Sequence, residues 1–103
     1  MKISNHLYVS ESLNKKQKRI IRRITRNQKI FPLFCITNST NEQNSLDIYC
    51  YGELFQKTYN RYYDLTVYGI AKTREEAYYL VADMLQDCIS TRGDCDLRKY
   101  LHM

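Results

Sequence analysis

The segment TREEAYYLVADMLQDCISTRG, residues 73–93, constrains the fold most strongly, because it defines a long helix and the side that this helix must bury. Thr73 and Glu76 have the spacing of a capping box, which marks a helix N-terminus. Gly93 suits the left-handed conformation that ends many helices. Between these ends, apolar residues recur at helical spacing and form one stripe: Ala77, Leu80, Val81, Met84, Leu85 and Cys88. The stripe predicts that the helix packs on a sheet or on another helix.

Three short segments predict the strands of that sheet. Residues 30–37, IFPLFCIT, form a continuous apolar run that is typical of a strand buried on both faces. Residues 46–51, LDIYCY, alternate between two faces, and residues 65–71, LTVYGIA, predict a third strand. Because the polar segment 38–45 predicts a loop, the first two strands are expected to form an antiparallel hairpin.

Residues 52–63 are open to two interpretations. Their apolar and aromatic side chains occur as pairs every four residues, which favours a short helix crossing between parallel strands. If the segment is only a turn, the sheet is a plain meander.

A second long helix, predicted at residues 13–27, carries the excess charge of the chain. Leu13, Ile20, Ile21 and Ile24 fall on one of its faces. Residues 11–29 hold eight basic residues and one acidic residue, whereas the rest of the chain holds eight basic and ten acidic residues. The net charge of +5 therefore comes from this helix.

Together the elements predict an α+β fold, a small single domain spanning residues 1–103. Its expected order is α-β-β-(short α)-β-α, with helices packed on a three-stranded sheet. Residues 1–10 are expected to be irregular or frayed, or to form a short edge segment. No apolar run approaches the roughly 18 residues of a membrane span, and the N-terminus lacks a signal-peptide block, so a cytoplasmic protein without membrane partners is expected. The four cysteines lack a C-x-x-C spacing and are expected to be reduced.

No catalytic or metal-binding pattern is recognisable. The motifs G-x-S-x-G, H-E-x-x-H and the P-loop are missing, and His6 and His102 lie near opposite termini. The sequence therefore predicts a protein without enzymatic activity, bound metal or cofactor.

The basic helix predicts a polyanion-binding surface. Its lysines and arginines recur every three or four residues and form one continuous ridge, although like charges at this spacing repel. Nucleic acid is the preferred partner, an acidic protein surface is the alternative, and a merely solvated face is the third interpretation. The candidate binding residues are Lys15, Lys16, Arg19, Arg22, Arg23 and Arg26.

Tyrosines form the second candidate surface. Tyr49, Tyr51 and Tyr68 are predicted to project from one sheet face, with Tyr62 beside them. Such a face can stack bases, but packing or a homodimer interface is the preferred interpretation. The leading hypothesis is thus a small regulatory or nucleic-acid-associated binding protein. The alternative is a protein-interaction module that forms a homodimer or binds an acidic partner.

Overall fold

A mixed sheet of four strands, in the order β1-β4-β2-β3, organises the chain in the computed structural model, which describes residues 2–26, 28, 33–39, 45–52 and 65–102. The strands are β1 (Lys2–Val9), β2 (Phe34–Asn38), β3 (Leu46–Cys50) and β4 (Thr66–Ala71). The helices are a 3-10 helix (Glu11–Lys16), α1 (Gln17–Thr25), α2 (Arg74–Arg92) and α3 (Leu97–Tyr100). The predicted α+β class is confirmed, but the sheet has four strands instead of the predicted three.

That additional strand is β1, which lies at one edge of the sheet. The prediction of an irregular or frayed segment at residues 1–10 is therefore wrong, whereas the alternative of an edge segment is confirmed. β1 pairs in parallel with β4, with Ile3 opposite Val67 and Val9 opposite Ile70. Its register shifts between Ile3 and Tyr8, where polar residues interrupt the alternation of side chains. Because its hydrogen-bonding partner lies about sixty residues further along the chain, no local pattern identifies it as a strand.

The predicted hairpin is confirmed, but the meander is wrong. β2 and β3 pair antiparallel, with Phe34 opposite Cys50 and Asn38 opposite Leu46. β4 is also antiparallel to β2, on its other side, so β3 and β4 run parallel with β2 between them. The connection from β3 to β4 is therefore a crossover over a neighbouring strand. The short helix predicted within residues 52–63 lies, apart from Gly52, outside the described residues, as do residues 30–32 of the first predicted strand.

The sheet is covered on both faces, and each face has its own core. The 3-10 helix and α1 cover one face, where the buried residues are Leu13, Ile20, Ile24, Leu33, Cys35, Tyr51, Val67 and Ile70. Helices α2 and α3 cover the other, where the buried residues are Ile36, Tyr68, Ala71, Ala77, Leu80, Met84, Cys88 and Leu97. Both faces of β2 and β4 are thus buried, which explains their nearly continuous apolar sequences.

Helix α2 has the ends that its sequence predicts. The Thr73 hydroxyl accepts a hydrogen bond of 3.1 Å from the Glu76 amide, and Gly93 adopts a left-handed φ of 79° while its amide donates to the Ile89 carbonyl. The helix predicted at residues 13–27 is divided, because its first part is the 3-10 helix and α1 begins only at Gln17.

The orientation of α1 is testable with two isoleucines of the same helix. We expect Ile24→Ala to lower the free energy of unfolding by about 2–5 kcal/mol, because Ile24 is fully buried and its removal leaves a cavity. Ile21→Ala is the control, and because Ile21 is half-buried it should cost about 1 kcal/mol. Urea denaturation measures both. Equal losses would contradict the observed orientation of α1.

Candidate polyanion-binding surface

The basic residues of the first helical segment all face away from the core. Ile20 and Ile24 of α1 and Leu13 of the 3-10 helix point into the sheet, which directs the opposite side of the segment outward. All six candidate residues are exposed, and we refer to them as the basic ridge: Lys15, Lys16, Arg19, Arg22, Arg23 and Arg26. Four of them, at positions 19, 22, 23 and 26, lie within about a quarter to a third of the helix circumference.

None of these cations is paired with an acid in the part of the chain that the structure describes. The ion pair that it shows there joins Arg92 to Asp94 at 3.1 Å, at the end of α2 on the other side of the sheet. No ridge side chain makes an ion pair or a side-chain hydrogen bond with another described residue. The ridge therefore retains its full positive charge toward solvent.

The start of the ridge is attached to the rest of the fold by two serines. The Ser10 amide donates to the Ile70 carbonyl at 3.0 Å, which continues the pairing of β1 with β4. The Ser12 hydroxyl donates to Glu76 Oε1 at 2.6 Å, which links the 3-10 helix to the first turn of α2. Hydrogen bonds, first of all from Ser12, hold the pKa of Glu76 below its ordinary value of 4.5, because they stabilise the carboxylate.

The end of the ridge is held by a tyrosine. The Gln28 amide donates to the Arg23 carbonyl at 2.8 Å, and the Tyr51 hydroxyl donates to the Gln28 carbonyl at 2.9 Å. Tyr51 is only 1% exposed, and burial raises the pKa of its hydroxyl to about 12. Tyr51 therefore acts as a neutral hydrogen-bond donor that positions the chain after α1.

The predicted shared tyrosine face is wrong. Tyr49 and Tyr51 pack with the core beneath α1, whereas Tyr68, 6% exposed, packs beneath α2, and Tyr62 lies outside the described residues. The reason is a register shift between β2 and β4, where Ile36 pairs with Gly69 and Thr37 pairs with Val67. Tyr68 is the additional residue on β4, and this bulge turns its side chain to the opposite face.

The structure also brings together residues from the two ends of the chain. His6 of β1 and His102 after α3 line the same open cavity, together with Lys2 and Tyr100. Beside it, the Tyr8 hydroxyl donates to Asp87 Oδ2 at 2.6 Å and lies 3.1 Å from the Tyr100 hydroxyl. Burial and these contacts raise the pKa of Tyr8 well above its usual range, so this phenol keeps its proton and remains a hydrogen-bond donor. The sequence contained no local signal for this assembly.

The possible metal ligands and the cysteines are distributed over the described residues without forming a cluster or a disulfide. Within them, no three His, Cys, Asp or Glu side chains are arranged to hold a metal ion. The four cysteines are free, and burial raises the pKa of the Cys35 thiol to about 12. A helix of the length and apolarity required to cross a bilayer is not found among the described segments.

Comparison with protein families, curated proteins and solved structures finds no match for this chain. The class of protein is therefore defined by its own fold, a small compact α+β domain with a mixed four-stranded sheet. Its most distinctive surface is the exposed basic ridge on the outer side of the first helical segment.

The link between Ser12 and Glu76 predicts a pH-dependent contribution to stability. Because the folded state lowers the pKa of Glu76, its carboxylate stabilises the fold above pH 4.5, and this contribution is lost as the pH falls through the lowered folded-state pKa. We expect Glu76→Gln to lower the free energy of unfolding at pH 7, and the difference from the native chain to shrink below pH 4.5.

Urea denaturation across a pH series measures this difference, with Glu75→Gln as the control in the same helical turn. Glu75 accepts a hydrogen bond from Tyr79 rather than from the serines of the 3-10 helix. A Glu76→Gln effect of the same size at every pH would contradict the role of the carboxylate charge.

Proposed function

We propose that this protein is a non-enzymatic binding protein whose basic ridge binds the phosphates of a nucleic acid. The observation that carries the proposal is the set of six exposed cations that lack an acidic partner among the described residues. Like charges three or four residues apart destabilise an isolated helix. A bound polyanion would relieve this repulsion. If the helix had only a structural role, nothing would compensate for the repulsion.

The length of the ridge matches a short stretch of nucleic-acid backbone. Lys15 and Arg26 are eleven residues apart, which corresponds to about 17 Å with a rise of about 1.5 Å per residue in α1 and about 2.0 Å in the preceding 3-10 turn. Each strand of a duplex presents one phosphate about every 3.4 Å along its axis, so about five phosphates face a ridge of this length. The number of cations and the number of phosphates are therefore comparable.

The uneven distribution of charge on this protein favours one orientation of an approaching polyanion. The ridge side of the molecule is strongly basic, whereas the chain outside residues 11–29 holds more acidic than basic residues. A polyanion is therefore attracted to one face and weakly repelled elsewhere. Because phosphate contacts carry no sequence information, we expect binding with little preference for base sequence.

The salt dependence of binding tests this proposal. We expect the logarithm of the association constant to fall with the logarithm of salt concentration with a slope near −4 to −5, because about five phosphates release their counterions. A gel-shift or fluorescence-anisotropy titration of a duplex oligonucleotide in rising salt measures the slope. Absence of binding at low salt would refute the proposal.

Charge reversal tests which residues are responsible. We expect the combined substitutions Arg19→Glu, Arg22→Glu and Arg23→Glu to weaken binding about a hundredfold at low salt and to reduce the slope by about three. The fold should persist, because all three side chains are exposed.

The matched control is the triple variant Lys2→Glu, Lys72→Glu and Lys99→Glu. These lysines are also exposed and lie outside the ridge, so the control has the same net charge as the ridge variant. It should retain most of the affinity. Equal losses in the two variants would show that binding depends on net charge alone, without a defined site.

An acidic protein surface is the alternative partner, because arginines also pair with carboxylates in bidentate geometry. Titration with poly-glutamate at the same ionic strength distinguishes the two. Tighter binding to poly-glutamate than to a duplex or single-stranded oligonucleotide would favour the protein partner.

A further inference from the structure

Helix α2 carries a second apolar stripe beside the one that it buries on the sheet. We refer to it as the outer stripe, and its members are Tyr78, Ala82, Leu85 and Ile89. Tyr78 and Ile89 are 57% and 45% exposed, Ala82 is exposed, and Leu85 is partly buried. Spacings of four, three and four residues are those of the contact positions of a helix that packs along another helix.

The outer stripe lies on the flank of α2 that faces away from β1. On the opposite side of the helix, Glu76 contacts Ser12 of the 3-10 helix and Asp87 contacts Tyr8 of β1. Leu85, at the inner border of the stripe, packs against the core beneath α2, as Leu46 and Ile48 of β3 also do. β3 is the edge strand of the described sheet on this flank. The exposed apolar surface therefore lies on the side of α2 toward β3, the edge strand of the described sheet.

We propose that the outer stripe is the interface between two copies of this chain, with α2 packed antiparallel against α2 of the second copy. A two-fold axis between positions 82 and 85 makes the stripe complementary to itself. Tyr78 then faces Ile89 of the second copy, and Ala82 faces Leu85, so that at each level a large side chain meets a smaller or branched one.

Charge complementarity selects this arrangement. Glu75 and Arg92 continue the spacing of the outer stripe, one three residues before Tyr78 and the other three residues after Ile89. The same two-fold axis brings Glu75 of each copy opposite Arg92 of the other, which forms an attractive pair at both ends of the interface. A parallel arrangement would instead place Glu75 against Glu75 and Arg92 against Arg92.

Both charged residues are already oriented within their own chain. Arg92 binds Asp94 through Nε and Nη2 at 3.1 and 3.3 Å, and Glu75 Oε1 accepts from the Tyr79 hydroxyl at 3.2 Å. Arg92 Nη1 and Glu75 Oε2 make no hydrogen bond with another described residue, so each residue retains one atom for the pairing that the dimer would supply.

The basic ridge does not oppose this association, because α1 covers the other face of the sheet. The repulsion between two chains of net charge +5 is therefore concentrated away from α2. The dimer and the binding of polyanions depend on different surfaces and can be tested separately.

Sedimentation or light scattering of the full chain over a range of concentrations tests the proposal. We expect a dimer that Ile89→Glu weakens at least about tenfold, because a carboxylate then faces the tyrosine ring of the second copy. The control Ser90→Glu adds the same charge on an exposed, outward side of α2 and should change the dissociation constant less than about twofold. A native chain that stays monomeric at every concentration overturns the proposal and leaves the outer stripe to another partner. Equal effects of the two variants on the dissociation constant would also overturn it.

A charge exchange tests the antiparallel orientation. We expect Glu75→Arg and Arg92→Glu each to weaken the dimer by bringing like charges together, and the double variant to recover most of the loss. Damage to the fold, such as loss of the Arg92–Asp94 ion pair, would persist in the double variant instead of cancelling. A double variant no better than the single ones overturns the proposed pairing.

Discussion

The double pairing of β4 is the interaction on which the rest of the structure depends. This strand bonds β1 on one side and β2 on the other, and its side chains contribute to the cores on both faces. Gly69 lies at its centre, where a Cβ atom would come within 2.9 Å of Ile36 Cδ1 and 3.1 Å of Met84 Cε. The missing side chain lets α2 lie close to the sheet. On the other face, Val67 and Ile70 of the same strand belong to the core beneath α1.

Because the sheet is covered on both faces, the molecule has two chemically different surfaces that are separated by its full thickness. One presents the cations of the basic ridge, and the other presents the partly apolar outer side of α2. Association through α2 would leave two basic ridges exposed in one particle. Two linked ridges would then bind a long polyanion more tightly than one ridge alone, because the second contact would form at a high effective concentration.

Local patterns predicted those parts whose partners are close in sequence. The capping box at Thr73, the left-handed Gly93, the hairpin of β2 and β3 and the inward isoleucines of α1 each depend on a few neighbouring residues. The patterns left residues 1–10 open between an irregular and an edge segment, because the pairing partner of β1 is distant, and they misplaced Tyr68, whose face depends on a bulge. The alternation of residues along a strand predicts which sheet face each side chain points to only where the strand pairs with its neighbour in regular register. One additional residue on β4 therefore separated tyrosines that the alternation had placed together.

The amino-acid sequence by itself determined the class of the fold, the length of α2 and the concentration of positive charge on one side of the first helical segment. These properties follow from periodicity and side-chain chemistry within short windows. Only the tertiary structure decided that the N-terminal residues complete the sheet, that Tyr51 and Tyr68 are buried on opposite faces of it, and that part of the apolar surface of α2 stays exposed. Those outcomes depend on which distant segments pair and how much area each can cover, and no single segment carries that information.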